Sequence, residues 1–452
     1  MSLKYADLRA GHVPLPGPFP GYDPAGDARQ LIREGTASPA VRPIAGWQLL
    51  DSLGGDDRFV VRVPEEWNGD LVVCGTPATR SEFANDAILG DYVLARGFAF
   101  ASGNKGVPFN GIAEPAAATP DPGVAYPIPF DVDRLRQSGY VIRPGALWPH
   151  VISVASWHEG YASLVRAAKE RVAELGGARP KRTYAVGLSI GGGQVRWLLE
   201  RAPELVDGGL EWAAVYWSRD ENILTYLPPF LRAMPEYVRS SYRDRSAHDA
   251  IVAAGFPADR LQDDPEHRSL WNEHYSNSAP FYNDLTVFVF GKLLDPALAS
   301  WCSVPPNVPN PITGEREAGP ISATGHALPE TRAAYVPSET VRRAIAGFEH
   351  TGAIERPLVG IAGSADVFIT PQRNFEPYRD AVLRARRGDR YWQYLVEGGP
   401  HVDSYAALGY GLQPQLPFVW RAFERLVRIV VDGERPPGAG AVRNVRSPAE
   451  MG

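Results

Sequence analysis

Arg182-Thr183-Tyr184-Ala185-Val186-Gly187-Leu188-Ser189-Ile190-Gly191-Gly192-Gly193 is followed by Gln194-Val195-Arg196-Trp197-Leu198-Leu199-Glu200-Arg201. The first part is a short β-prone run and the last part has the composition of a helix. Between them stands G-x-S-x-G, so the order is strand, tight turn, helix. That is the context in which a serine can be a nucleophile rather than a chance match to a pentapeptide. A turn this tight has no room for side chains on either side of the serine, and Gly187 and Gly191 supply the space. Ser189 would then stand above the sheet at a helix N-terminus, whose N–H groups and dipole favour a developing negative charge.

Working outward, further strands flank the turn. Gly46–Asp51 and Arg58–Val63 enclose Gly54-Gly55-Asp56-Asp57 and form a β-hairpin. Asp70-Leu71-Val72-Val73-Cys74-Gly75 is apolar without alternation, as a strand buried on both faces must be. A helix is expected over 81–96, closed by Gly97, and Phe98–Ser102 forms a strand. Residues 157–175 form an amphipathic helix directly before the serine strand, and 210–217 a strand after it. The β/α rhythm stops from 218 to 350 and resumes with a strand at 357–363, a helix at 371–387, a strand at 390–396 and a last helix at 417–431. Alternating strands and helices imply an α/β fold with a doubly wound, mostly parallel sheet and antiparallel strands at one edge. The expected organisation is a loop-rich segment 1–45, a core of 46–217 and 351–432, a cap or lid inserted at 218–350, and a flexible tail 433–452 rich in Pro and Gly. Residues 107–149 are a long Pro/Gly-rich excursion, which inside a compact domain is usually functional or mobile.

Composition bounds the function. The chain has 452 residues, of which 44% are hydrophobic and 22% charged, and its formal net charge is −6. Ordinary globular composition with no basic run excludes nucleic acid as a natural partner. Two cysteines, Cys74 and Cys302, exclude a disulfide framework. No apolar run reaches the roughly 20 residues of a membrane helix, and residues 1–22 lack the apolar centre of a signal peptide. The chain thus reads as cytoplasmic, or as one whose secretion signal has been replaced.

A serine hydroxyl needs a base to remove its proton. In this motif class the acid and the histidine follow the serine in that order. His401, in Glu397-Gly398-Gly399-Pro400-His401 just after the last strand, is the expected base. Asp366, in Gly363-Ser364-Ala365-Asp366 just past a buried strand, is the expected acid, with Asp403 and Asp220 as runners-up. The oxyanion donors are expected at the N–H of Ile190 and of Thr76; Pro77 has no N–H to offer. The other eight histidines fall in the N-terminus, the insertion or beside the 157–175 helix, where structural roles suffice. Neither a P-loop nor an H-E-x-x-H metal motif is present, so no cofactor and no metal is called for.

Taken together, these residues resemble the α/β-hydrolase superfamily over about 46–217 and 355–432. Arg96–Ser102 and the G-x-S-x-G-G turn are similar to the tannase/feruloyl esterase and hydroxybutyrate-oligomer hydrolase groups. Tannase-like enzymes join a cysteine before the serine to one after the histidine, whereas this chain has Leu188 and Val402 there. The resemblance implies ester hydrolysis without a cofactor, on a small-molecule ester or oligoester. An amidase, peptidase, thioesterase or acyltransferase would use the same residues, and a non-catalytic binding protein on this fold would need a broken triad. Aromatics in the insertion, Tyr226 and Trp271 among them, are expected to line a pocket for an apolar or aromatic group.

Overall fold

A computed structural model of the chain describes residues 2–13, 40–54, 57–78, 80–106, 114–115, 140–141, 154–265, 269–271, isolated positions between 283 and 295, 333–408 and 410–452. One sheet is built from β1 (Ser2–Tyr5), β2 (Gly46–Gly54), β3 (Asp57–Pro64), β4 (Asp70–Gly75), β5 (Ala99–Gly103), β6 (Arg182–Leu188), β7 (Gly208–Trp212), β8 (Leu358–Gly363), β9 (Tyr391–Val396) and β10 (Val442–Val445). Its spatial order is β1-β2-β3-β5-β4-β6-β7-β8-β9-β10. The pairs β1/β2, β2/β3 and β3/β5 are antiparallel, and every pair from β5 onward is parallel. The α/β class and the antiparallel edge expected from the sequence are therefore present.

Helices α1 (Asp91–Leu94), α2 (Val154–Gly176), α3 (Ile190–Arg201), α4 (Ile223–Arg239), α5 (Arg245–Ala253), α6 (Glu339–Ala346), α7 (Pro371–Asn374), α8 (Glu376–Arg384) and α9 (Leu416–Val431) accompany the sheet. Strand side chains alternate between faces. Val72 and Cys74 of β4 pack with α1 and α9, while Leu71 and Val73 pack with α2, α3 and α8. Covering both faces is what demands the continuous apolar runs of the central strands. A third apolar cluster joins α4, α5 and α6, all from the stretch between β7 and β8, to Ile190 and to Val367, Phe368 and Ile369.

Several elements differ from their sequence-based expectation. The helix expected over 81–96 is only a π-helical turn, Asp86–Gly90, running into α1. Buried polar bonds outcompete helix before it: Asn85 donates to Ser102 Oγ at 3.0 Å and Arg62 to Asp86 at 2.7 Å. Gly97, at φ +80°, ends the helix as expected. The 210–217 strand stops at Trp212, since Ala213 has φ +45° and turns the chain out of the sheet. The 371–387 helix is interrupted at Phe375, two residues before Pro377, which has no N–H to donate. The loop-rich N-terminal segment contains β1. The 433–452 tail carries regular structure: it contributes β10, parallel to β9, and Met451 is buried in the cluster that includes α9. Proline content misleads there, because Pro436 is anchored to the core through its carbonyl, which accepts from Trp392 Nε1 at 2.8 Å. Most of 107–149 and of 266–332 lies outside the described residues.

Candidate active site

The backbone of the serine turn is tightly constrained. Ser189 has φ +59° and ψ −119°, a region that non-glycine residues occupy only under tertiary constraint. Its N–H donates to Trp212 O at 2.8 Å, and its carbonyl accepts from Gly193 and Val215 N–H, both at 3.1 Å. A Cβ built on Gly187 would lie 2.2 Å from Gly191 O, and one on Gly191 only 2.0 Å from Gly75 O. So β6, the first turn of α3 and the end of β4 touch backbone to backbone, and only glycine fits. Ser189 thus stands at the carboxyl edge of the parallel strands, between β6 and α3, with four parallel strands from β7 to β10 on one side. The chain has the α/β-hydrolase fold. That assignment rests on the strand order together with this turn.

The loops that follow β8 and β9 are fused. Ser364 N–H donates to Val396 O at 2.9 Å and Ala365 N–H to Gly399 O at 2.9 Å. A Cβ on Gly363 would lie 2.1 Å from Gly399 O. That fusion brings Asp366, after β8, to His401, after β9: Nδ1 and Oδ2 are 2.8 Å apart. Asp366 is fully buried, and its Oδ1 accepts from Phe368 and Ile369 N–H at 2.8 and 2.9 Å. Held this way, the carboxylate requires the proton on Nδ1 and leaves the Nε2 lone pair for another partner. Phe368 packs against the imidazole in a T-shaped arrangement, with ring centroids 5.6 Å apart.

The runners-up have other tasks. Asp403 accepts from Gln415 and Leu416 N–H, at 2.7 and 3.2 Å, at the start of α9. Burial raises its pKa to about 6 against the lowering effect of those N–H groups. Asp220 is exposed and pairs with Arg342.

Two of the other described histidines, His158 and His350, are buried and bonded to the backbone. His350 accepts from Trp217 N–H at 3.1 Å on Nδ1 and donates from Nε2 to Gly193 O at 2.9 Å. His158 donates from Nδ1 to Val154 O at 2.8 Å. Burial lowers the His158 pKa to about 4 and holds that of His350 well below the usual value. His150, His267, His274 and His326 lie outside the described residues. Cys74 is a free thiol inside the core, and burial pushes its pKa well up.

The two expected oxyanion donors lie at the start of α3 and just past the end of β4. Ile190 opens α3. Thr76 follows β4, and its N lies 3.0 Å from a Cβ built on Gly191. Its hydroxyl donates to Gly103 O, and its carbonyl accepts from Lys105 Nζ at 2.5 Å.

One supporting residue carries no signal in the sequence. Asn374, at the end of α7, accepts from Tyr216 N–H at 3.0 Å and donates to Tyr226 OH at 3.0 Å and to Thr370 O at 3.1 Å. Its own carbonyl accepts from Arg196 Nη1 of α3 at 2.9 Å. Arg196 is fully buried and forks onto Glu211 of β7, with Nη2 to Oε1 at 2.9 Å. One asparagine therefore connects the serine helix, the chain after β7, helix α4 and the segment after Asp366.

No family model matches the chain, and no curated protein matches its sequence. Solved structures do. Feruloyl esterase B from Aspergillus oryzae is 13% identical, with 89% of this chain and 85% of that one covered at a TM-score of 0.47. An esterase from Aspergillus oryzae is 13% identical, with 96% and 87% covered at 0.46. Pyrococcus horikoshii acylaminoacyl peptidase is 9% identical, with 88% of this chain but 43% of that one covered at 0.42. These are likenesses of fold. Among the described residues, no helix is long and apolar enough to cross a membrane.

Proposed function

We propose that the chain is a serine hydrolase that cleaves a carboxylic ester through an acyl-enzyme. The observation that carries this reading is the buried Asp366 bonded to His401 Nδ1, at the same sheet edge as a serine held in a strained turn. The strained backbone of Ser189 and its close glycine contacts support a nucleophilic role for it. In the proposed reaction His401 Nε2 takes the Ser189 proton as Oγ attacks the ester carbonyl. The tetrahedral oxyanion is held by the N–H groups of Ile190 and Thr76, and the proton then passes to the leaving alcohol. Water repeats the sequence on the acyl-enzyme and releases the acid. Asp366 holds the tautomer and stabilises the imidazolium.

Residues 218–350 are proposed to form the cap over this edge. Helices α4, α5 and α6 share one apolar cluster with Ile190 and Phe368, which neighbour the serine and the histidine. This placement favours an apolar or aromatic substrate group. Trp271 and Tyr226 themselves are buried inside the cluster, with Trp271 against Phe230 and Phe256 and the Tyr226 hydroxyl on Asn374. They suit packing better than lining a pocket.

The test is intact-mass labelling with a fluorophosphonate, mapping of the labelled residue, and a screen of p-nitrophenyl esters of different chain length. Label on Ser189 is expected, and Ser189→Ala should lose turnover by about 10³-fold or more while remaining folded. Label elsewhere, or near-normal turnover by the purified Ala variant, would refute the reading.

A further inference from the structure

The stretch Asn104-Lys105-Gly106 at the end of β5 has no place in the triad, yet its backbone is held in an unusual shape. Lys105 has φ +61° and Gly106 φ +73°. Glycine or asparagine adopts such a conformation at little cost, whereas lysine does so under strain. The turn is imposed from below. The buried Asn104 accepts from Arg58 N–H at 2.9 Å and Gly106 N–H at 3.0 Å, while its own N–H donates to Arg58 O at 3.0 Å. With the backbone so fixed, the Lys105 side chain runs to the loop after β4. There its ammonium donates to Thr76 O at 2.5 Å, 5.9 Å from the centroid of the Trp157 ring.

The bonded carbonyl belongs to a residue in an awkward place. Thr76 is just past the end of β4, so the β4/β5 and β4/β6 ladders do not reach it. It precedes Pro77, which confines it to extended conformations but fixes no single one. Two anchors, from the last residue of β5 and from the turn after it, settle its orientation: the Thr76 hydroxyl on Gly103 O and the Thr76 carbonyl under Lys105. On the other side, Gly75 and Thr76 N lie against Gly191, so a small rotation at residue 76 moves its N–H relative to Ile190.

We infer that Lys105 is a positioning residue, which holds residue 76 through its carbonyl so that the N–H of the preceding Gly75–Thr76 peptide unit serves as the second oxyanion donor. This rests on the serine-hydrolase reading above. A strained lysine is explained by this role, because the strain is the cost of aiming its side chain at Thr76.

The experiment uses the full chain with p-nitrophenyl butyrate as probe and active sites counted by fluorophosphonate. Lys105→Met and Lys105→Gly are compared with wild type, and Lys105→Arg serves as the conservative variant. The expected result is a fall in kcat per labelled site of about 10- to 100-fold for Met and Gly, with KM within about threefold. Lys105→Arg should recover most of the rate. Affinity for a boronic acid, which mimics the tetrahedral state, should fall in proportion to kcat/KM. Glycine relieves the strain, so the Gly variant should melt no more than a few degrees below wild type despite its low rate. Unchanged kcat per labelled site in Met and Gly would overturn the inference. So would a boronate affinity that stays constant while kcat falls, or an Arg variant as slow as Met. If wild type takes no label at Ser189, it is the hydrolase reading itself that fails.

Discussion

Gly191→Ala puts the close approach of β4 and α3 to a direct test. The added Cβ would lie 2.0 Å from Gly75 O, 2.4 Å from Gly75 C and 3.0 Å from Thr76 N, all backbone atoms. Ordinary contact begins near 3.4 Å, so the two segments must part by roughly 1.4 Å. Neither can swing aside freely, because Gly75 is in register with Gly187 in the central sheet. The parting therefore falls on Ile190 and Thr76, the proposed oxyanion donors. A misplacement of about 1 Å costs on the order of 10²-fold in rate, and loss of a donor about 10²- to 10³-fold. Overpacking at such a site costs about 1–3 kcal/mol of stability. The expected outcome is kcat on p-nitrophenyl butyrate lower by at least about 100-fold per labelled serine, with a modest loss in urea unfolding. Gly160→Ala is the control, since its Cβ would meet only Asp57 Oδ2, at 3.6 Å. It should keep the wild-type rate. A Gly191→Ala variant within threefold of wild type would show that the contact does not set the donors.

Asp366→Asn should lower kcat far more than Asp403→Asn or Asp220→Asn, because Asp366 alone of the three bonds to His401; a larger kinetic loss at Asp403 would refute the assignment. His158 titrates at about 4 in the fold against 6.5 in an unfolded chain, so the unfolded state takes up its proton first as pH falls. Stability should therefore drop between pH 6.5 and 4, by at most about 3 kcal/mol from this group, and His158→Phe should flatten that slope in urea titrations. An equal slope in the variant would mean other groups carry it. Deleting residues 434–452 removes β10, the Arg446–Glu397 ion pair and buried Met451, and should lower Tm by at least about 5 °C. An unchanged melt would show the tail to be dispensable.

The parts of this fold legible in the sequence are those whose signal is local. Strand β8 and β4 beyond Asp70 are apolar without alternation because helices cover both faces, and the serine turn shows itself in glycines that no other residue can replace. Asp366 and His401 were legible by their place after β8 and β9, although the contact that joins them, Gly363 against Gly399, is tertiary. Strand β10 was not legible. Two of its residues, Arg443 and Asn444, are exposed, and its register comes from β9, about fifty residues earlier. The short helix before Gly97 was misjudged because Asn85 and Asp86 satisfy buried groups on β5 and β3 rather than their own helix. Asn374 and Lys105 could not be singled out, since each matters through partners far away in the chain.

Asn374 has a consequence for anyone who would re-engineer this protein. The supports of the serine, the acid loop and the insertion meet at one side-chain amide and its neighbouring carbonyl. A graft that exchanges the 218–350 segment, or the loop after β8, for a foreign one removes Tyr226 or Asn374 and strands its partner. Modules that look separable along the chain are thus mechanically one piece, and recombination breakpoints belong outside the span from Arg196 to Asn374.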